Sequence, residues 1–418
     1  MPDVGARGYR VLRMPALLAV VLASVVLVTP AEEREPVPAP PIAPVAATAQ
    51  APLFSFVSMP DFLNADIGDV RVRAGVGWDP GDPNSINESW TRALDVILDD
   101  VQARGPAAVL VAGDLVEGHW GVDIRGTGTF GPVRTRRERL AAIRNAGNVY
   151  YPQWKQRFTE RGLRVLPAVG DHEIGDNPWR EGTFKLAAVP TYKRVWAKTF
   201  TRTPTGHRFG KRPVGTPFES TAYAVRIQNT LFVTVDIYKR TREGVQLTVD
   251  GGQLAWLDRT LGRARRSGVT HLVVQGHAPV VGPVRSTHSS EMTMSGGRYS
   301  PFWRVLQRHD VDLYLAGEMH AMTSHAADGV VQVVHGALAT LGQANYLVGR
   351  VYPRRIELEL RRFRGRVTDE RHLWNTDRKR PHRGVSFRRG SVVVGTMVID
   401  KRSGVSVLRD QSGRLRTG

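Results

Sequence analysis

Cysteine is absent from all 418 residues. That excludes disulfides, zinc–thiolate sites, iron–sulfur clusters and cysteine nucleophiles, so any bound metal must be held by His, carboxylate or amide groups. Acidic residues are scarce beside basic ones, 39 Asp plus Glu against 58 Lys plus Arg, and the formal net charge is +19. Such an excess attracts anionic partners: phosphorylated molecules, nucleic acid or a membrane surface. The Arg residues are scattered rather than massed in one block, so a compositional habit explains the charge equally well. Long apolar runs are missing too. The run at residues 14–28 is short for a spanning helix, which needs about 20 apolar residues. No sequence repeat of fixed period occurs.

The N-terminus carries Arg7, Arg10 and Arg13, then that apolar run, then Thr29-Pro30-Ala31. This is the pattern of a secretory signal over residues 1–31, or of an uncleaved N-terminal anchor, because Pro30 sits awkwardly at the cleavage point. It predicts a secreted or extracytoplasmic protein, held at the cell surface if the segment is retained. Residues 32–52 are rich in Pro and Ala and read as an extended linker. A hydrophobic content of 41% suits a folded domain, expected over residues 53–350. Residues 351–418 read as an Arg-rich C-terminal β segment packed on it.

Within the domain, residues 53–59 form a first apolar strand. Ser85 and Glu88 make a capping box, and Trp90, Ala93, Leu94, Ile97 and Val101 follow at helical spacing. A second strand covers residues 107–112. Helical stretches follow around Leu140 and Ile143 and again at residues 154–158, then a third strand at 164–169. Residues 177–211 are rich in Trp, Arg and Thr and read as irregular. Residues 221–227 and 231–237 form an antiparallel hairpin. Leu254, Leu257, Leu261 and Ala264 mark a helix face stopped by Gly268. Further strands fall at 270–274, 311–316 and 330–334. Strands alternating with helices predict an α/β fold with a largely parallel central sheet.

Four of these strands end in Gly plus an ionisable residue: Gly113-Asp114, Gly170-Asp171, Gly276-His277 and Gly317-Glu318. In parallel sheets ligands bind at the carboxyl ends of the strands, so the four ends are expected to meet on one edge. Gathered carboxylates repel one another and lose solvation. A cation resolves both, and Asp, Glu, His and Asn suit manganese, iron, zinc, magnesium or calcium. Two metals sharing one carboxylate are suited to attack on a phosphate ester. Taken singly, each strand end is also explained as a charged surface turn.

The set resembles the calcineurin-like metallophosphoesterase superfamily, which includes purple acid phosphatases and many phosphodiesterases. The family pattern is D-x-H after strand one, then G-D-x-x, G-N-H-[DE], a strand-ending G-H, and G-H-x-H. The corresponding stretches are Asp61 to Asn64, Gly113-Asp114-Leu115-Val116, Gly170-Asp171-His172-Glu173, Gly276-His277 and Gly317-Glu318-Met319-His320. The resemblance implies a four-layer βαβ sandwich with two mixed sheets flanked by helices. It also implies hydrolysis of phosphate mono- or diesters by a metal-bound hydroxide. Asp114 would bridge two metals, Asp61 and His320 would complete one, and Asp171, His277 and Glu318 the other. His172 would protonate the leaving oxygen.

Three positions depart from the pattern. Asp61-Phe62-Leu63 lacks the His of D-x-H, for which Asn64 or Asp66 is a substitute. Asp171 replaces Asn, and Glu318 replaces a His. Four carboxylates then neutralise two divalent ions before any substrate arrives. That favours two divalent ions or a ferric–divalent pair, manganese or iron ahead of zinc or magnesium, with a single ion as another outcome. Arg180 and Arg125 are loop candidates for holding a phosphate. Glu117, His119, His325 and His335 lie near the same edge, where ordinary polar roles account for them. Glu173 is expected to hydrogen-bond around the site rather than bind metal. The expected partner is a phosphorylated small molecule or polymer. The rival readings are a non-catalytic relative that binds an anionic ligand, favoured by the missing His, and a nuclease.

Overall fold

The computed structural model describes residues 50–61, 88–123, 128–282, 284–373, 382–402 and 404–417. The signal-like segment, nearly all of the Pro/Ala-rich stretch, Ser85 of the capping box, Asn64, Asp66 and Arg125 lie outside them. Among the described residues no helix is long and apolar enough to cross a membrane.

The chain begins with β1 (Phe54–Ser58), α1 (Glu88–Gln102), β2 (Ala108–Val111), α2 (Arg136–Thr159), β3 (Val165–Pro167) and α3 (Phe184–Phe200). Next come β4 (Arg202–Thr203), β5 (Gly206–His207), β6 (Tyr223–Ile227), β7 (Thr230–Thr234), β8 (Tyr238–Arg240) and β9 (Val245–Leu247). Then follow α4 (Gly251–Arg266), β10 (His271–Gln275), α5 (Pro301–Arg308), β11 (Leu313–Ala316), β12 (Thr323–Ala327) and β13 (Val330–Val334). In the C-terminal part the described elements are strands: β14 (Asn345–Val351), β15 (Arg355–Arg362), β16 (Gly365–Leu373), β17 (His382–Phe387), β18 (Val392–Arg402) and β19 (Val405–Gly413).

Two large sheets result. One has the order β19-β18-β15-β14-β1-β2-β3, the other β12-β13-β11-β10-β7-β6. Strands β1, β2 and β3 run parallel, as do β7, β10, β11 and β13. These are the apolar strands, because a strand with both faces covered has no solvent side to alternate with. The sheets are nevertheless mixed rather than largely parallel. Antiparallel β14, β15, β18 and β19 continue the first sheet, and β6 and β12 close the second. The sheets meet face to face through Phe56 and Phe232, with ring centroids 5.3 Å apart and edge-on. Polar bonds cross as well: Tyr223 Oη donates to Pro167 O at 2.8 Å and Gln275 Nε2 to Leu166 O at 2.8 Å.

Residues 177–211 are not irregular. Thr183 caps α3, its hydroxyl accepting from Leu186 N, and Leu186, Val189, Trp196 and Phe200 are buried along one face. Pro190 obscures this periodicity. It lies inside the helix and has no N–H to offer the carbonyl four residues earlier. That carbonyl, Leu186 O, accepts Arg240 Nε at 2.9 Å instead. The two expected helical stretches between the second and third strands are likewise one helix, α2, which runs through Pro152.

The C-terminal strands are tied to α1 by a polar network. Asp100 accepts from Tyr346 Oη and Ser391 Oγ, each at 2.5 Å, and from Arg104 at 3.1 Å. Burial raises the Asp100 pKa, but these bonds outweigh it and hold the carboxyl below its usual 3.8. Its stabilising contribution is therefore present above about pH 4 and lost as pH falls through the lower folded value. Asp100→Ala is expected to lower stability by about 1–2 kcal/mol at neutral pH and by progressively less in acid. Denaturant titrations at pH 7 and pH 3 check this; an equal loss at both pH values overturns it.

Candidate active site

Five parallel strands, β1, β2 and β3 of one sheet and β10 and β11 of the other, deliver six ionisable residues just past their carboxyl ends. Asp61 follows β1, Asp114 follows β2, Asp171 follows β3, His277 follows β10, and Glu318 and His320 follow β11. Four of these residues hold left-handed backbone: Asp61 at φ 49°, Asp114 at 61°, Glu318 at 68° and His320 at 51°. Such conformations cost an L-residue of order 1 kcal/mol or more and collect at functional sites. Gly113 makes the convergence possible. At φ +96°, a Cβ there would lie 2.5 Å from His277 Nδ1 and 2.7 Å from Gly170 Cα.

The six side chains are buried together. Donor atoms of Asp61, Asp114 and His277 lie within 4.8 Å of one another, as do those of Asp114, Asp171 and His172, and those of Asp171, His277 and Glu318. His277 Nε2 is 3.1 Å from Asp171, 3.3 Å from Asp114, 3.4 Å from Glu318 and 3.8 Å from Asp61. Despite these distances it makes no well-aligned hydrogen bond, and neither does Asp171 Oδ1 or Asp61 Oδ2, although His277 Nε2 and Asp171 Oδ1 face each other as an ion pair. Polar atoms buried without hydrogen bonds are expensive, and here they crowd round one small volume.

The surrounding bonds orient these donors. His277 Nδ1 contacts Ala112 O at 2.6 Å, His320 Nδ1 contacts His288 O at 3.0 Å, and His172 Nδ1 contacts Glu117 O at 2.6 Å. A carbonyl only accepts, so each Nδ1 carries the proton and each Nε2 is left for a ligand. Glu318 Oε1 accepts from Ser290 Oγ at 2.7 Å and Met292 N at 3.2 Å, which leaves Oε2 toward His277. Asp61 Oδ1 accepts from Glu318 N at 3.1 Å. Glu173 faces away from the cluster. Its two oxygens accept from the N–H groups of Asp114, Leu115 and Gly170 at 2.7, 2.9 and 2.8 Å, locking two strand ends together.

The electrostatics are unfavourable without a cation. Burial drives the Asp61 carboxyl well above its ordinary pKa, against the pull of His277, and repulsion from Asp114 and Glu318 adds to it. Burial likewise raises Glu318. For His277 burial favours the neutral ring, but attraction to Asp114 reverses this and raises its pKa well above the ordinary value. His320, which burial pushes down, is already suited to ligation as a neutral ring. Donors without aligned hydrogen bonds, mutually repelling carboxylates and imidazoles turned Nε2-inward all fit bound metal ions.

The cluster opens into a cavity of about 340 Å³ lined by Asp114, Asp171, His172, Asp176, Asn177 and the loop His288 to Ser290, with Glu318 and His320. The structure thus brings together every proposed ligand except Asn64, which lies outside the described residues. Arg180 is exposed and does not line the cavity; among the described residues no Arg or Lys does. His335 is buried between Ser58 Oγ and Asn345 Oδ1. The sequence reading missed Asp176, Asn177, His288 and Ser290. Asn177 reaches Asp171 Oδ2 at 3.4 Å, and Asp176 Oδ2 contacts His119 Nε2 at 2.7 Å. None of the four follows a strand, so the signal that marked the other residues does not extend to them.

A comparison with curated proteins finds no match. Among solved structures the chain is similar to the Plasmodium protein GAP50, described as the anchor in the inner membrane complex, at 10% identity and TM-score 0.37 over 87% of this chain and 86% of that one. It is similar to the calcineurin-like phosphoesterase YfkN of Bacillus subtilis at 9% identity and TM-score 0.32 over 81% and 90%. A third is Vacuolar Protein Sorting 29 of Cryptosporidium parvum, at 8% identity and TM-score 0.29 over 86% and 98%. The model of the calcineurin-like phosphoesterase family matches residues 66–322, more than half of the chain, and the chain belongs to that family.

Proposed function

We propose that this protein is an exported, metal-dependent phosphoric ester hydrolase acting on phosphate mono- or diesters. The observation that carries the reading is the convergence of Asp61, Asp114, Asp171, His277, Glu318 and His320 around buried donor atoms that make no well-aligned hydrogen bond. Asp114 groups with Asp61 and His277 on one side and with Asp171 and His172 on the other, so it would serve both ions of a pair; Asp171 and His277 each belong to two groups as well. Ions held there would supply the charge that activates water and neutralises a phosphate. The protein's own part is to fix the donors, keep the site small and place a proton donor. His172 is that donor: it lines the cavity, and its Nδ1 contact with Glu117 O leaves Nε2 for the leaving oxygen. With four carboxylates in the set, manganese or iron is preferred to zinc.

The test is turnover of an alkyl phosphate and of p-nitrophenyl phosphate, each as mono- and diester, with added manganese, iron or zinc. A general acid matters most when the leaving group is poor, so His172→Ala should slow the alkyl ester by about 10²-fold or more and the nitrophenyl ester much less. Equal slowing of both overturns the role of His172, and highest turnover with zinc overturns the metal preference. No turnover with any metal favours a non-catalytic anion binder, the reading supported by Phe62-Leu63 where the family has an imidazole. Export rests on the signal-like N-terminus, and recovery of the native protein in the cytoplasmic fraction overturns it.

A further inference from the structure

A second cavity, of about 1250 Å³, lies among α3, β4, the segment from Gly215 to Thr221, β8 and the start of α4. It exceeds the roughly 300–1,000 Å³ of most small-molecule sites and shares no lining residue with the candidate active site.

Its rim is cationic. Arg194, Lys198, Arg202, Arg208 and Arg240 line it and are exposed. Their side chains bond only neutral groups: Arg194 to Thr191 Oγ1, Lys198 to Asn148 Oδ1, Arg202 to Ser220 Oγ and His207, and Arg240 to Leu186 O. Among the described residues no carboxylate pairs with any of the five. The one acid in the lining, Asp250, is held by Lys239 at 2.6 Å.

Deeper in, the lining is apolar, with Val189, Ala197 and Phe218 buried. The polar groups there are already engaged. Lys193 donates to Asp236 at 2.7 Å and to Tyr238 O at 2.6 Å. Thr221 donates to Asp236, and Gln253 bonds the Asp236 backbone both ways. A nucleobase would need an open aromatic face for stacking. Phe218 is covered by the Lys193 ammonium, 5.2 Å from the ring centroid, and Tyr238 is fully buried against the edge of Trp179.

Unpaired cations at the mouth, aliphatic groups below and no free ring define the ligand. We propose that this cavity binds a single-chain amphiphilic anion, with a phosphate-type head at the Arg and Lys rim and an aliphatic body against Val189, Ala197 and Phe218.

The test is calorimetric titration of the full chain with dodecylphosphonate, whose carbon–phosphorus bond resists phosphoesterase chemistry, below its micelle concentration. The expected result is one site per chain, weakened about tenfold or more in Arg194→Gln/Lys198→Gln/Arg202→Gln, whose exposed charges can be removed without touching the core. Binding in Asp114→Asn should be unchanged. No binding, equal binding by the triple variant, equal binding of uncharged dodecyl maltoside, or equal binding of inorganic phosphate overturns the proposal. So does loss in Asp114→Asn, which places the head at the active site. Co-sedimentation with anionic phospholipid vesicles that dodecylphosphonate fails to displace points to a flat membrane surface and overturns it as well.

Discussion

Asp114→Asn is expected to lower phosphoesterase turnover by about 10³-fold, on the scale of losing one principal electrostatic contact in a dry site. The substitution keeps size and shape. Asn tolerates left-handed backbone as Asp does, so φ 61° adds no new cost, and the amide oxygen can still accept from His172 N, 3.2 Å from Asp114 Oδ1. What changes is one negative charge in a group of four carboxylates. Without metal that charge repels Asp61 but attracts His277, so the two effects oppose each other and the metal-free variant should unfold close to the wild type. With metal the two proteins separate. A ligand that binds only the folded state raises stability, so manganese should raise the melting temperature of the wild type and leave the variant nearly unmoved. Undiminished turnover, or an equal metal-dependent shift in both proteins, overturns the role given to Asp114.

The parts of this site that the sequence made legible share one physical origin. A strand covered on both faces reads as an apolar run, and the side chain at its carboxyl end is the first that can be ionisable. Asp114, Asp171, His277 and Glu318 were visible for that reason, each announced by a glycine where the backbone crowds. Asp61 follows Pro60 instead, and its neighbour Asn64 lies outside the described residues. The loop of His288 to Ser290 reaches the site from between β10 and α5, where no periodic pattern points to a destination. The long helix α3 is obscured in the sequence by Pro190 and by Lys193, which interrupts the apolar stripe and donates to buried Asp236, although Leu186, Val189, Trp196 and Phe200 mark its inner face. The antiparallel extension of the first sheet was partly legible as β-like stretches, but nothing in a strand's own composition says which edge it will join.

Glu173, expected from the sequence to hydrogen-bond around the site rather than bind metal, does so in the structure, and it carries the second large expected effect. Asp171, His172 and Glu173 are consecutive, and the local backbone decides which faces inward. A tight turn of three residues sends successive side chains about 120° apart. Asp171 and His172 line the cavity, while Glu173 points away from it and accepts three N–H bonds from two strand ends. Glu173→Ala leaves those three buried donors unpaired, at about 1–3 kcal/mol each, and should lower stability by roughly 3–5 kcal/mol. Because the Asp114 and Gly170 backbones then lose their anchor, metal affinity should also fall by about 10–100-fold, as when other groups that orient ligands are removed. Glu173→Gln separates the contributions. Placed at the Oε2 position, the amide oxygen still accepts from Asp114 N and Gly170 N, and only the NH₂ meets Leu115 N–H donor to donor. The Gln variant should therefore keep most of the metal affinity and lose stability by about one unmade bond. Equal loss of metal affinity in the Ala and Gln variants would place Glu173 among the ligands themselves; unchanged affinity in both would separate the hydrogen-bonded brace from the geometry of the site.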